Sequence, residues 1–226
     1  MVLIYKFMKY LSKFFGFNKK KETDINDLCK RYINGEYKIE NDLITVRGDV
    51  SMHSINSYKI PLKFKEVSGN FDISYGSLIS LEGCPEIVGG NFDCNYNDLL
   101  SLEFAPKSIG GFFDCSSNHL KELKGSPEEI YGDFSCSDNS LINLIGGPKK
   151  VEGSFYCYDN LLKTLDGVPK VRGQIYISDN PLPEEILKLK QDILKKVVEE
   201  QDFYEIWRDN ELFEPRWKEL KIDLGI

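Results

Sequence analysis

The run VGGNFDCNYNDL at residues 88–99 returns as IGGFFDCSSNHL at 109–120, IYGDFSCSDNSL at 130–141 and VEGSFYCYDNLL at 151–162, each 21 residues after the last. A fixed period between about 20 and 50 residues marks a repeat architecture, in which each unit buries its apolar face only by stacking on the next. One glycine per unit sets the frame: Gly48, Gly69, Gly90, Gly111, Gly132 and Gly153 are spaced by 21, and Gly173 follows after 20.

Around that glycine the apolar residues alternate. Two places before it stand Val46, Val67, Val88, Ile109, Ile130, Val151 and Val171; two after it stand Val50, Phe71, Phe92, Phe113, Phe134, Phe155 and Ile175. Four after it come Met52, Ile73, Cys94, Cys115, Cys136, Cys157 and Ile177. A period of two predicts a strand with one buried face, and a strand that returns once per unit predicts a parallel sheet. Asn97, Asn118, Asn139, Asn160 and Asn180 fall where the chain leaves the strand, and a carboxamide there can bond to main-chain groups of two coils. Leu78, Leu99, Leu120, Leu141, Leu162 and Leu182, then Leu81, Leu102, Leu123, Leu144 and Leu165, fill the return side of the core. Gly83, Gly125, Gly146 and Gly167, with Pro85, Pro106, Pro127, Pro148 and Pro169, make the turn to the next strand.

This pattern over residues 46–182 resembles the leucine-rich repeat, and more closely the short units common in bacterial and tailed-phage genomes. The resemblance implies a phage or bacterial intracellular protein, cytoplasmic in its host. The expected fold class is α+β: a right-handed leucine-rich-repeat-like solenoid of about seven coils, with a parallel β-sheet and helical caps at both ends. Ile55 and Gly76 stand where the asparagine belongs and Phe104 replaces a turn glycine, so the first coils are expected to be less regular.

An open solenoid exposes its core at both ends, and the flanks read as covers. Residues 1–45 form the first: Thr23 or Asp24 caps a helix bearing Ile25, Leu28, Cys29, Tyr32 and Ile33, closed by Gly35, and a hairpin turning at Asn41-Asp42 follows. Residues 183–226 form the second, with Pro183, Glu184 and Glu185 opening one helix whose face carries Ile186, Leu189, Ile193, Leu194, Val197 and Val198. The tail after it holds Phe203, Tyr204, Ile206, Trp207, Leu212, Phe213, Trp217 and Leu220, as a second cap layer or as a partner-binding or dimerising element.

The chain has 226 residues and a net charge of −7, but residues 1–21 hold six lysines and no acid, leaving −13 for the rest. That body repels phosphates, so direct nucleic-acid binding is not expected and a basic protein is the expected partner. The apolar run Val2–Phe17 lacks the order of charges and the cleavage site of a secretory signal and is shorter than a bilayer requires. It reads as an amphipathic helix packing on the solenoid, with membrane contact through residues 1–17 or homo-oligomerisation as the other roles.

No catalytic site, cofactor or metal is expected. His53 and His119 are the only histidines and neither has a nucleophile in a helpful context. Ladder cysteines one strand spacing apart in a line cannot surround zinc tetrahedrally, and free thiols are expected. The candidate site is instead the concave strand face, one, three, five and six places after each glycine. It carries Asp49, Asp72, Asp93, Asp114, Asp133, Asp138, Asp159 and Asp179 with Tyr75, Tyr96, Phe112, Tyr156, Tyr158 and Tyr176, and no lysine or arginine. Asp72, Asp93 and Asp114 fall in one column, so like charges sit about 5 Å apart at a cost to the fold. A non-catalytic module that captures a basic host protein through this face is the leading expectation, a defence component by resemblance alone. A nucleic-acid mimic and a structural, virion-associated component remain the alternatives.

Overall fold

A computed structural model describes residues 24–226, which divide into two units between Arg31 and Tyr32. In the first, helix α1 (Ile25–Tyr32) is capped by Asp24, whose Oδ1 accepts from the Asn26 N–H at 3.0 Å. The segment 1–17 and Thr23 lie outside the described residues. Gly35 does not close this helix as expected. It lies inside β1 (Ile33–Glu40), opposite Gly48 of the antiparallel strand β2 (Leu43–Ser51), where a Cβ on Gly35 would come within 2.9 Å of the Gly48 Cα. The hairpin turns at Asn41 and Asp42, both left-handed with φ of 50° and 62°, the conformation that a two-residue connection matching strand twist requires.

From β2 onward the chain winds as a parallel β-solenoid with one strand per coil, each interrupted at its glycine. The segments are β3 (Phe64–Val67) and β4 (Phe71–Asp72), β5 (Ile87–Val88) and β6 (Phe92–Asp93), β7 (Ser108–Ile109) and β8 (Phe113–Asp114). They continue as β9 (Glu129–Ile130) and β10 (Phe134–Ser135), β11 (Lys150–Val151) and β12 (Phe155–Tyr156), β13 (Lys170–Val171) and β14 (Ile175–Tyr176). The segments after the glycines pair in the order β14-β12-β10-β8-β6-β4-β2, about six turns in strict register. Those before the glycines run β2-β3-β5-β7, and β9, β11 and β13 pair among themselves.

The interruption is built by backbone contact. Each frame glycine donates its N–H to the carbonyl of the frame glycine one coil back, from Gly69 on Gly48 to Gly173 on Gly153, at 2.8–3.0 Å. No side chain fits between: a Cβ at Gly132 would lie 2.6 Å from the Gly111 carbonyl carbon. Inside, Phe92, Phe113, Phe134 and Phe155 stack with centroids 5.2, 5.3 and 5.5 Å apart, and Cys94, Cys115, Cys136 and Cys157 form a fully buried column beside them. All six cysteines are free thiols.

At the strand ends the asparagines form a second ladder. Asn118 donates Nδ2 hydrogens toward the carbonyls of Cys94 (3.1 Å), Cys115 (3.2 Å) and Ser116 (3.0 Å), and its Oδ1 accepts from the Leu99 N–H at 3.0 Å. Asn97, Asn139, Asn160 and Asn180 repeat the arrangement, so each carboxamide ties its own corner to the corner one coil back.

The helix expected after Pro183 is two helices, α2 (Glu184–Leu187) and α3 (Gln191–Tyr204), because the chain opens at Lys190 into an extended residue and re-aims Gln191 at the last strand. The Gln191 amide accepts from the Ile175 N–H and donates to the Ile175 carbonyl, both at 2.8 Å, in place of the strand that a further coil would supply. Lys195 and Gln201 donate to the carbonyls of Arg172 and Leu165, both at 3.0 Å, so α3 satisfies the open end of the stack at three points. The short hairpin β15 (Trp207–Arg208) and β16 (Glu211–Leu212) turns into α4 (Glu214–Leu224), where Trp217 is buried with its Nε1–H donating to Glu185. Trp207 likewise donates to Gln201 at 2.7 Å, so the tail forms a second layer on the cap and leaves Phe203 and Ile222 exposed.

Asn118→Ala removes a fully used carboxamide and strands buried main-chain groups of two coils. The expected loss is about 3 kcal/mol, a fall in unfolding midpoint of roughly 6–12 °C by calorimetry.

Candidate binding face

The outward residues of the stack make two principal columns. Three places after each glycine run Ser51, Asp72, Asp93, Asp114, Ser135, Tyr156 and Tyr176, all joined by parallel pairing. Six places after it run Ser54, Tyr75, Tyr96, Ser117, Asp138, Asp159 and Asp179, every one in the left-handed region with φ between 48° and 58°. Acid and tyrosine therefore exchange columns along the stack. In the second and third coils the aspartate is upstream and the tyrosine downstream; in the sixth and seventh the order reverses.

The tyrosines are paired with one another. Tyr75 and Tyr96 stack at 4.5 Å and 14°, and Tyr156 and Tyr176 at 4.7 Å and 5°. His53 extends the first pair, its ring 5.2 Å from Tyr75, and links it to the acid column through Ser74 at 3.0 Å and Asp72 at 3.9 Å. Tyr158 is half-buried and Phe112 is exposed, away from either stack.

Some of the carboxylates hold the fold. Asp72 and Asp114 each accept, through Oδ1, from the N–H and hydroxyl of the serine two residues on, and Asp93 from the Asn95 N–H at 3.0 Å. Asp49 and Asp133 accept from the main-chain N–H of Asn70 (2.6 Å) and Ser154 (2.7 Å) in the next coil. Their column is a third coil-to-coil ladder in which Asn70 and Asn91 play the same part. The place five after the glycine is open only in part: Ser74, Ser116 and Ser137 are buried there, Asn95 and Tyr158 are half-buried, and His53 and Ser178 at the two ends are exposed. Asp138, Asp159 and Asp179 suit their backbone, because a short carboxylate tolerates the left-handed conformation.

Tyr75 and Tyr96 have no such reason. A bulky aromatic in the left-handed region is an outlier, and both side chains stand about half exposed, 52% and 51%, so burial does not offset the strain. The repeat carried the signal: a column of Ser and Asp residues interrupted by two tyrosines marks a left-handed position with an unusual occupant.

Electrostatics add a second cost. Burial, with the charges of Asp114 and Asp72 against the helping Asn95 N–H, pushes the Asp93 carboxyl up to about 6. Burial and Asp159 raise Asp138 as well. Burial drives the thiols of Cys94, Cys115 and Cys136 well above their ordinary value, which keeps them protonated and poor nucleophiles. Among the described residues no group of three or more His, Cys, Asp or Glu is placed to hold a metal ion, and no helix is long and apolar enough to cross a membrane.

By its geometry the chain is a repeat solenoid of the parallel β class, with coils of about 21 residues. Comparison with protein-family models, curated proteins and solved structures finds no match to it.

Because Asp93 binds its proton more tightly folded than unfolded, the fold is favoured below about pH 4 and loses that contribution as pH rises through 6. Asp93→Asn keeps the acceptor for Asn95 and removes the charge. It should raise stability by about 1 kcal/mol at pH 7–8, roughly 2–4 °C, and leave it unchanged near pH 4, as read by thermal unfolding across that range.

Proposed function

We propose that the chain is a non-catalytic protein-binding module of leucine-rich-repeat type, phage-encoded and working in a bacterial cytoplasm, which captures a basic host protein through the acid and tyrosine columns. The observation that carries this reading is the Tyr75–Tyr96 stack: two aromatics exposed in a backbone conformation that disfavours them, beside the Asp72–Asp93–Asp114 column. The fold recovers part of each cost, through turn hydrogen bonds to the carboxylates and through the stack itself, but neither requires rings or acids left open to solvent. A partner gains from both, since stacked tyrosines offer rigid contact area and faces for cationic side chains, and a row of carboxylates steers a basic surface into register. A defence component is the partner class by resemblance alone.

In-register carboxylates at strand spacing also suit a nucleic-acid mimic, which would occupy the phosphate site of a DNA- or RNA-binding protein. Assembly through the N-terminal segment is the structural alternative. The test is affinity capture from bacterial lysate, followed by the same capture with Tyr75→Asn/Tyr96→Asn and with Asp93→Asn/Asp114→Asn. Asparagine suits the left-handed position and preserves the Oδ1 acceptors, with only the Asn95 contact to Asp114 Oδ2 and the tyrosine stack given up, so both variants should remain folded while retaining less than about a tenth of the captured protein. Undiminished capture by both well-folded variants would overturn the proposal, and displacement of the partner by duplex DNA would favour the mimic.

A further inference from the structure

An exposed aromatic in a strained conformation also stands at one place away from the strand face. Four coils turn toward the next strand through Gly83, Gly125, Gly146 and Gly167, with φ of 104°, 101°, 83° and 81°. The third coil has Phe104 at that position, also left-handed at 69°. Its side chain is 56% exposed, so core packing does not explain it. Glycine is the residue the backbone favours here, and the neighbouring coils use it.

Phe104 stands at a surface cavity of about 460 Å³, within the size range of small-molecule sites. The apolar lining comes from Phe104, Leu43, Phe64 and Ala105. Leu43 is itself 40% exposed, so two large apolar side chains of the lining are left to solvent. Three lysines, Lys63, Lys65 and Lys107, stand around it with Glu82 and Glu86. Glu86 lies 3.5 Å from Lys107, which leaves an excess of positive charge at this cavity on a chain of net −7. The lining carries two departures from the repeat: Phe104 where the neighbouring coils have glycine, and Phe64 of the first coil where they have the turn proline, with Lys63 and Lys65 on either side of it.

We infer that this cavity is a binding site for a small organic anion with an aromatic or aliphatic body, the body lying against Phe104 and Leu43 and the anionic group meeting Lys63 and Lys65. An apolar floor supplies affinity, and a lysine pair at one edge fixes which end of the ligand faces out. The site is separate from the acid and tyrosine columns, so its failure would leave the protein-binding proposal where it stands.

The test uses the full chain and two fluorescent probes, anilinonaphthalene sulfonate and its neutral relative phenylnaphthylamine. The sulfonate should bind at one site per chain with a Kd of roughly 10–100 µM. Phe104→Gly should weaken it about tenfold while the unfolding midpoint stays level or rises, because glycine relieves the turn; a structural phenylalanine would give the opposite. Lys63→Glu/Lys65→Glu should weaken the sulfonate about tenfold and leave the neutral probe unchanged. Sulfonate binding insensitive to both variants, binding at several sites per chain, or a midpoint lowered by Phe104→Gly would overturn the assignment. So would sedimentation showing that two copies associate through this cavity and separate when the probe binds.

Discussion

Neighbouring coils of this chain approach to backbone hydrogen-bond distance at the frame glycines, where no Cβ fits between them, and every other layer has to keep that same spacing. The phenylalanines stack because the interval suits flat rings. The cysteines fill the column beside them because a small apolar group packs there without forcing the coils apart. The asparagine carboxamide then completes the corner, since a corner that reverses the chain leaves carbonyls and N–H groups that no sheet pairs, and one planar amide with two donors and an acceptor reaches both coils. Stability in such a stack is largely nearest-neighbour in character, so loss at one corner is felt by two coils rather than by one.

The same spacing brings like charges into line. An outward column repeats whatever it carries at every coil, and aspartates repeated there repel one another and resist ionisation, as Asp93 does. Part of this is local turn chemistry, with Ser74, Asn95 and Ser116 each donating to Oδ1 of the aspartate two residues before, and Asn95 donating to Asp114 Oδ2 as well. What local chemistry leaves over is the sharing of the face between acids and paired tyrosines. That remainder, together with Phe104 on the turn side, is where the repeat is broken at a cost that stacking recovers only in part, and such places are where function is sought.

The two ends obey a different rule. A coil in the middle finds its hydrogen-bond partners in the next copy of itself, whereas the last coil has no copy beyond it. The glutamine at 191, the lysine at 195 and the glutamine at 201 supply the missing partners from a helix, and Trp217 and Trp207 anchor the layer outside. At the other end the antiparallel strand Ile33–Glu40 covers the first strand, with glycine opposite glycine where the two backbones approach most closely.

The residues alone determined the coil, because each position recurs four to seven times and the repetition averages away the ambiguity of any single stretch: the strand, the buried phenylalanine and cysteine columns, the asparagine corner and the turn were all readable from spacing. The candidate aspartates and tyrosines were legible in the same way, as columns. Only the tertiary structure decided which of them are tied into ladders, as Asp49 and Asp133 are, because a side chain's partner one coil away leaves no mark in its own coil; the left-handed backbone at Tyr75, Tyr96 and Phe104 showed in the sequence only as an odd occupant of its column. It also decided the break between α2 and α3, which occurs once and answers to a single unpaired strand edge rather than to any local pattern.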